Sequence, residues 1–571
     1  MNISTTHIPR TANPNTTSKV WPLLSVLSLS VITACAPQSK ITPASDKAST
    51  TTLETAEQSI QADVAAPVVV MATPAMAESR QLSKMTTNAR IMPPPSQGYM
   101  APKQQENYAE IEPNAVNATS EQAFATLSID TDTGSYANVR RFLNQGQLPP
   151  KDAVRVEELI NYFNYDFTAA KKQANAPFLV STEVVNSPWH PTNQIVKVGI
   201  KAEDLLTAKQ KQPPANLVFL VDVSGSMDTE DKLQLAKSSL KMLTKQLRAQ
   251  DSITLITYAG NTKVVLPSTP GNQTQKILNA IDNLTASGST NGEAAIKLAY
   301  QQATEHFKKD GINRILMLTD GDFNVGVSSV KDMLQIIRSN RDKGISLSTL
   351  GFGQGNYNDH MMEQVADNGN GNYSYIDSLS EAKKVLIDEM SATFNTVAKD
   401  VKIQLEFNPA AVSEWRLIGY ENRVLAKEDF NNDNVDAGEL GAGKSVVALF
   451  EVTPVGQKGL LEPSRYQNST AVSGNNHELG FLKIRYKAPQ AEKSQLLSFP
   501  IANRVTAASA DTNFALAVAG YGQLLTGSKY VNDLSYSQLQ RLAKSGAQSP
   551  IDSSGSRTEF IKLVSLAEAL N

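Results

Sequence analysis

Residues 218–228 read Val-Phe-Leu-Val-Asp-Val-Ser-Gly-Ser-Met-Asp, an apolar run that ends in the pattern Asp222-x-Ser224-x-Ser226. The run has the length and composition of a fully buried strand of a parallel sheet. Open α/β sheets bind ligands at the carboxyl ends of their strands, and the carboxylate and the two hydroxyls fall at that point. Hard oxygen donors of this kind suit a hard cation such as Mg²⁺, which keeps open positions when few protein carboxylates hold it.

Two further segments supply oxygen donors at comparable places. The segment 288–292 (GSTNG) precedes a helical stretch, and the apolar run 314–322 ends in Asp-Gly-Asp. The three segments are separated by the length of one or two βα units. An alternative interpretation is that Ser224 and Ser226 cap the helix that begins near Asp231, because serine is favoured at helix N-caps.

Together these segments resemble the metal-ion-dependent adhesion site of von Willebrand factor type A domains, which is written DxSxS, then a Thr, then an Asp. All five family positions are matched in this sequence. The resemblance implies that a cation, Mg²⁺ or alternatively Mn²⁺ or Ca²⁺, is bound directly or through water by Asp222, Ser224, Ser226, Thr290 and Asp320. It also implies that this cation captures an Asp or Glu side chain of a protein partner.

The chain around these segments alternates between strand and helix patterns. Strands are predicted at 217–221, 253–258, 315–319, 346–351 and 373–376. The clearest of the intervening helical patterns has apolar residues spaced by three and four, namely Leu233, Ala236, Leu240, Leu243 and Leu247. This alternation predicts an α/β fold with a doubly wound, mostly parallel sheet that is covered by helices on both faces.

Strand patterns separated by turn residues flank this domain on both sides. Residues 401–501 have the pattern of an antiparallel β-sandwich, and residues 178–200 upstream have the same character. The upstream pair alone would leave unpaired edges and an exposed apolar face. We therefore expect it to complete the downstream sheet, which makes the α/β domain an insertion in the sandwich. The chain from residue 506 onward has helical patterns.

Two helical patterns, 136–145 and 152–163, follow a strand-like segment upstream of the sandwich, and Asp152 is predicted to cap the second helix. This region closely resembles the amino-terminal module of bacterial von Willebrand factor A lipoproteins of the YfbK type. The carboxyl-terminal region resembles the same family. Asp130 and Asp132 are candidates for a functional carboxylate pair, but we interpret them as turn or cap residues because no His or Glu cluster accompanies them.

The amino terminus has the pattern of a secretion signal. A polar segment with Arg10 and Lys19 leads into the apolar stretch 20–34, which is shorter than the roughly 20 residues that span a bilayer. The sequence ITAC ends at Cys35, the only cysteine in the chain, and resembles the lipobox of bacterial lipoproteins. The resemblance implies that Cys35 is acylated and begins the mature protein. Ala36 follows where Asp would mark inner-membrane retention, which favours the outer membrane, facing the periplasm. The alternative is an ordinary secretory signal with a chance cysteine.

The segment between this signal and the first ordered pattern is low in apolar content. From residue 36 to residue 98 there is no aromatic side chain, and Ser, Thr, Ala, Pro and Gln dominate, so a disordered tether is predicted. The predicted organisation is a signal peptide (1–35), a tether (36–105), an N-terminal α+β module (106–175), strands that join the sandwich (176–213), the von Willebrand factor A domain (214–397), the β-sandwich (398–505) and a C-terminal helical region (506–571).

Two other motifs match known patterns without the structural context that those patterns need. Residues 438–445 (GELGAGKS) fit the P-loop pattern, but a strand pattern follows them where phosphate binding needs a helix N-terminus. Residues 429–433 begin like a calcium loop, but the required Gly and the final Glu are missing. We interpret the first as a segment between a polar loop and a strand and the second as a solvated hairpin loop, and we predict no nucleotide binding.

The sequence favours a binding protein over an enzyme. The five histidines are scattered, and His360 is interpreted as a partly exposed helix residue. The net charge of −3 argues against a nucleic-acid partner. The prediction is an envelope-anchored lipoprotein that binds a protein partner through its cation. One alternative is a metal-dependent hydrolase or transferase of the envelope, with Asp228, Asp322 or His360 as base. Another is a structural lipoprotein whose metal stabilises the fold.

Overall fold

The computed structural model describes residues 106–571 apart from 169, 171, 173–175, 204–211, 290–291, 322–326, 390–391, 393–394, 463–475, 532, 548–550 and 553. The predicted signal peptide, Cys35 and the tether lie outside the described residues, and so does Thr290. In the described part of the chain, no helix is long and apolar enough to cross a membrane.

Three sheets and the helices around them make up the described part of the chain. The strands are β1 (Asn117–Ala118), β2 (Phe124–Ser128), β3 (Phe178–Asn186), β4 (Gln194–Ala202), β5 (Ala215–Asp222), β6 (Ser252–Tyr258), β7 (Lys263–Pro270), β8 (Ile312–Thr319), β9 (Ser346–Phe352), β10 (Tyr373–Ile376), β11 (Thr396–Phe407), β12 (Val412–Ile418), β13 (Leu440–Gly441), β14 (Ser445–Pro454), β15 (Glu478–Lys487) and β16 (Gln495–Ala502). The α-helices are α1 (Gly134–Asn144), α2 (Val156–Asn161), α3 (Leu235–Thr244), α4 (Thr274–Asp282), α5 (Gly292–Glu305), α6 (Val327–Arg341), α7 (Asp359–Asn368), α8 (Leu379–Lys383), α9 (Ala510–Thr526), α10 (Tyr536–Gly546) and α11 (Ser556–Leu570).

Two antiparallel sheets form the sandwich. One has the order β1-β12-β14-β4-β3, and the other has the order β13-β11-β15-β16, with β2 also paired to β11. β4 pairs with β14 along its length, from Gln194 opposite Val452 to Lys201 opposite Ser445. The strands that precede the α/β domain therefore complete a sheet formed mainly after it, as predicted. The fold class, an α/β domain inserted in an antiparallel sandwich, is confirmed.

The sheet that contains β4 and β14 is covered on both faces. Successive side chains of a strand point to opposite faces. Val196 and Val198 of β4 belong to the core between the two sandwich sheets. Ile195 of β4, with Val447 and Leu449 of β14, packs instead in a second core that contains the C-terminal helices. The predicted helical C-terminal region thus exists and covers the outer face of this sheet.

The inserted domain is built on a sheet with the strand order β10-β9-β8-β5-β6-β7. β5 lies parallel to β6 and β8 and is buried along its whole length, as its apolar sequence predicts. Helices cover both faces: Leu240 of α3 and Ile277 of α4 pack in one core, and Ile296 of α5 and Ile337 of α6 pack in the other. β7 is antiparallel to β6 and forms an edge that the sequence patterns did not indicate.

The N-terminal module differs from its prediction in the second helix. α1 lies close to the predicted 136–145, but α2 begins only at Val156. Asp152 lies in a separate 3-10 turn, Lys151–Ala153, so the prediction that it caps the helix is wrong. The reason is the extended backbone of Val154, with φ −108° and ψ 98°, which separates the turn from the helix.

Buried and partly exposed ion pairs join the inserted domain to the rest of the molecule. Arg140 on α1 contacts Asp377 at 2.6 Å and Glu381 at 2.7 Å, both in the inserted domain. Arg423, in the segment after β12, contacts Asp367 on α7 at 2.7 Å. Charged contacts therefore hold the insertion in addition to its two chain connections.

Candidate metal centre

Asp222 is the last residue of β5, and two hydrogen bonds fix its carboxylate. The backbone N–H of Ser224 donates to Oδ1 at 2.9 Å, and the hydroxyl of Thr319 donates to Oδ2 at 2.9 Å. β5 and β8 are paired with Val221 opposite Leu318, which places Thr319 beside Asp222. Neighbours from both strands therefore set the orientation of the carboxylate.

The two serines lie in the tight loop that follows β5. Ser224 has an extended backbone and precedes the 3-10 turn Gly225–Met227, and its side chain makes no capping hydrogen bond. Its hydroxyl lies 3.0 Å from the hydroxyl of Ser226. The alternative interpretation of Ser224 as a helix cap is therefore wrong. The structure brings the two hydroxyls together close to the Asp222 carboxylate instead.

The segment that leads to Thr290 contacts the serine loop directly. The N–H of Gly225 donates to the carbonyl of Gly288 at 2.9 Å, and the N–H of Ser287 donates to the carbonyl of Val223 at 2.6 Å. Gly288 has φ +85°, in the left-handed region that favours glycine. Thr290 itself lies outside the described residues, so its role as a ligand stays a prediction.

Asp320 follows β8 and is fully buried. The ammonium of Lys232 lies 3.0 Å from its Oδ2. The next residue, Gly321, has φ +82°, and its N–H donates to the hydroxyl of Thr319 at 3.1 Å. A Cβ at Gly321 would lie 2.5 Å from the backbone nitrogen of Asn358. Glycine is therefore required where the loop after β8 meets the start of α7.

Two buried carboxylates give the site a need for positive charge. Burial, with a contribution from the negative charge of Asp320, raises the pKa of Asp222 to about 6, against the lowering effect of hydrogen bonds from Ser224 and Thr319. A divalent cation would satisfy both carboxylates, and carboxylate and hydroxyl oxygens are donors that Mg²⁺ and Mn²⁺ accept. The residues present therefore fit the predicted cation. Within the described ranges, no three His, Cys, Asp or Glu side chains group as a metal site, so this centre relies on hydroxyl donors as well.

Two of the three residues considered as catalytic bases, His360 and Asp228, lie in the described part of the chain. His360 lies on α7, partly exposed, with its Nε2 2.9 Å from Nε2 of Gln364, which agrees with its interpretation as a helix residue. Asp228 is exposed at the end of the turn that contains Ser226. Asp322 lies outside the described residues.

The P-loop-like motif contains the short strand β13, and the calcium-like motif begins in the 3-10 helix Lys427–Asn431. Gly443 has φ +77°, and the strand β14 follows it, as predicted, in place of the helix that a P-loop needs. Lys444 pairs with Glu389 at 2.6 Å. In the calcium-like segment, Asp433 accepts a hydrogen bond from the hydroxyl of Ser494 at 2.5 Å. Side chains of the protein therefore contact the charged groups of both motifs.

Asp130 and Asp132 lie in the connection between β2 and α1, and both are buried. Asp130 Oδ1 accepts a hydrogen bond from the N–H of Asp132 at 2.9 Å. Arg423 lies 3.4 Å from Asp130 and 3.7 Å from Asp132. The two carboxylates thus belong to the charged contacts around the inserted domain.

Three polar residues of the centre were missed by sequence reasoning: Lys232, Thr319 and Asn356. Lys232 occurs at the start of the helical pattern, on the π-helical turn Glu230–Gln234, close behind the serines. This position could have indicated that Lys232 belongs to the centre, because side chains on a helix point back toward its N-terminus and hence toward the serines. Asn356 comes from the loop after β9, 124 residues further along the chain, and local sequence gives no indication of it.

Comparison with known proteins gives matches to most of the described region. A family model described as "von Willebrand factor type A domain" matches residues 216–388, and one described as "von Willebrand factor" matches residues 102–197. A third, "Uncharacterized protein YfbK, C-terminal", matches residues 392–570. The uncharacterized protein YfbK of Escherichia coli (strain K12) is 50% identical over 470 residues, which is 81% of this chain and 81% of that protein. The chain belongs to the YfbK family.

These matches confirm the resemblance of the inserted domain to von Willebrand factor type A domains and that of the N-terminal and C-terminal regions to the YfbK family. Among more distant relatives, the uncharacterized protein sll0103 of Synechocystis sp. is 27% identical over 319 residues, 54% of this chain and 70% of that protein. Inter alpha-trypsin inhibitor, heavy chain 4, of Mus musculus is 31% identical over 163 residues, 27% of this chain and 17% of that protein. Von Willebrand factor type A domains typically mediate protein–protein interaction or adhesion and commonly bind a divalent metal.

Proposed function

We propose that this YfbK-family protein is an envelope-anchored binding protein whose inserted domain uses a divalent cation, Mg²⁺ or Mn²⁺, to capture an Asp or Glu side chain of a protein partner. The observation that carries the proposal is the convergence of the Asp222 carboxylate, the hydroxyls of Ser224 and Ser226, and the Asp320 carboxylate at one edge of the sheet. A cation held by only two protein carboxylates keeps positions for a carboxylate from outside.

The exposure of these residues supports capture of a partner from solvent. Gly225 is exposed and Ser226 is partly exposed, whereas Asp222 and Asp320 are fully buried. β5 has 8 residues, and each strand residue adds about 3.3 Å, so Asp222 lies far from Ala215, where the chain enters the sheet. A partner that approaches the serine loop therefore meets the end of the domain remote from its N-terminal junction.

The contacts of the two carboxylates favour binding over catalysis. A general base must lie within hydrogen-bond reach of the water that a metal activates. The Asp222 carboxylate accepts from Thr319 and Ser224, and the Asp320 carboxylate pairs with Lys232. These partners hold the two carboxylates in fixed orientations that are suited to binding a cation.

Cross-linking in intact cells tests the binding function. Cells that express the native protein are expected to give a discrete cross-linked species that contains a second protein. Asp222→Ala, and separately Ser224→Ala with Ser226→Ala, should remove this species at equal protein level. Asp282→Ala is the matched control, because its carboxylate lies on the exposed end of α4 and pairs only with the partly exposed Lys241 in the ion pairs described. The same species at the same yield in the Asp222→Ala cells would contradict the proposal.

We propose further that Cys35 is acylated and holds the protein at the outer membrane on its periplasmic side. The sequence ITAC before Ala36 supports this proposal. Several acyl chains together make such an anchor stable.

Substitution of the anchor residue tests the membrane attachment. Cys35→Ser is expected to leave an unprocessed precursor that no longer fractionates with outer membrane, because no thiol remains to accept the lipid. Mass spectrometry of the native mature amino terminus should show a modified cysteine. An unmodified residue at a different first position would refute the lipid anchor.

A further inference from the structure

We infer that Lys232 is a specificity-determining residue of the metal centre. Its fixed ammonium weakens binding of the divalent cation and, once the cation is bound, strengthens binding of a carboxylate ligand. The inference rests on the proposed metal-dependent function and assigns to that same site the charge that makes it prefer an anion.

Lys232 is held at the centre by the loop after β8 and the loop after β9. Its side chain is only 7% exposed, and its Nζ lies 3.0 Å from Oδ2 of Asp320. Its Nζ also donates to Oδ1 of Asn356, in the loop after β9, at 3.1 Å. Gly353 has φ +71°, and a Cβ there would lie 2.2 Å from Cγ of Lys232, so the stem packs directly on the backbone. The ammonium is therefore a fixed part of the centre and differs from a mobile surface charge.

The position of this ammonium sets the charge of the centre. Asp222 and Asp320 are both buried and supply two negative charges, and Lys232 supplies one positive charge. With Lys232 present, a bound divalent cation leaves the centre with one net positive charge. With an uncharged residue in its place, the loaded centre would be neutral. Charges so close together in a partly desolvated site interact strongly.

Two opposite consequences follow from the same charge. The ammonium repels an incoming cation and shares the Asp320 carboxylate with it, so it lowers divalent affinity. The positive charge that remains after loading attracts an anion, so it raises the affinity for a carboxylate. A residue that only supported the fold would change both affinities in the same direction, because its loss would disorder the ligands. The opposite signs therefore distinguish a role in specificity from a structural role.

The experiment uses the purified full chain with Mn²⁺ as the cation and acetate as the carboxylate probe. Electron paramagnetic resonance of free Mn²⁺ gives the cation affinity. Water-proton relaxation of the Mn²⁺-saturated protein gives the acetate affinity, because acetate displaces coordinated water. Lys232→Met removes the charge and keeps an unbranched side chain that is one atom shorter. We expect it to bind Mn²⁺ about tenfold more tightly than the native protein, and acetate about tenfold more weakly.

The matched control is Lys241→Met, which removes an ammonium from α3 that pairs with Asp282 at the surface, where the two side chains are 36% and 55% exposed. Both of its affinities should equal the native ones. Circular dichroism checks the fold of each variant, and Lys232→Gln replaces Lys232→Met if the latter does not fold. If the Mn²⁺ and acetate affinities of Lys232→Met both fell, or both stayed at the native value, the inference about Lys232 would be overturned and the proposed function would stand. A native protein that binds no Mn²⁺ would overturn the proposed function and the inference with it.

Discussion

Replacement of Arg155 by Met is expected to lower the free energy of unfolding by about 3–5 kcal/mol. The Arg155 side chain is 2% exposed and pairs with Glu158 on α2. It also contacts Asp359 at 2.6 Å and Glu363 at 3.8 Å, both on α7 of the inserted domain. The Tyr373 hydroxyl donates to Asp359 at 2.5 Å, and Arg423 lies 3.5 Å from Glu363, and both contacts remain in the variant. Loss of Arg155 nevertheless removes the guanidinium that contacts the buried carboxylates of Glu158 and Asp359.

The pH dependence of this loss has a definite sign. Burial raises the pKa of Glu158 to about 8 and also raises the pKa of Glu363, each against the lowering effect of Arg155. Without Arg155 the pKa values of Glu158 and Glu363 should rise further, while the pKa of a glutamate in the unfolded chain stays at about 4.3. A carboxyl group whose pKa is higher in the folded state than in the unfolded state lowers the free energy of unfolding as pH rises. The loss of unfolding free energy in Arg155→Met should therefore be larger at pH 8 than at pH 5.

Chemical denaturation followed by tryptophan fluorescence and by circular dichroism measures this loss. The control is Arg338→Met, which removes an exposed guanidinium that donates to Asn368 at 2.5 Å on the surface of the inserted domain. Its effect should stay within about 0.5 kcal/mol of the native stability. If Arg155→Met were as stable as Arg338→Met at pH 8, the buried ion pairs would not hold the insertion in place.

The features that local sequence specifies were predicted well. The buried strand β5 follows from its unbroken apolar run, and the place of Asp222 follows because parallel strands end at the same edge of a sheet. The completion of the sandwich by residues upstream of the insertion follows from the unfavourable edges that they would otherwise expose. In each case one physical rule acts on a short stretch of chain.

The contacts between distant parts of the chain could not be predicted in this way. Arg155 contacts Asp359, which is 204 residues away in the sequence, and Arg423 contacts Asp130, which is 293 residues away. Charged residues normally lie at the surface, so a sequence pattern does not identify those that fold into a buried interface. Lys232 belongs to the same class, because its pairing with Asp320 needs a helix start and a strand end to meet.

Replacement of Asp222 by Ala is expected to remove divalent-cation binding while the fold persists. In the proposed metal centre this carboxylate is the ligand at the end of the central strand, and alanine offers no donor. The N–H of Ser224 and the hydroxyl of Thr319 would lose an acceptor, at a cost of about 1–3 kcal/mol each if no water replaces it. Removal of a buried carboxylate whose pKa is raised to about 6 offsets part of that cost. Mg²⁺ should raise the melting temperature of the native protein and leave that of the variant unchanged.

The most direct test is a calorimetric titration of Mg²⁺ into the purified full chain and into its Asp222→Ala variant, at neutral pH and with circular dichroism spectra recorded for both. The native protein should show one saturable binding event with a stoichiometry of one cation per chain, and the folded variant should show none. Equal binding of Mg²⁺ by the two proteins would contradict a metal centre at Asp222 and, with it, the capture of an acidic side chain through that centre.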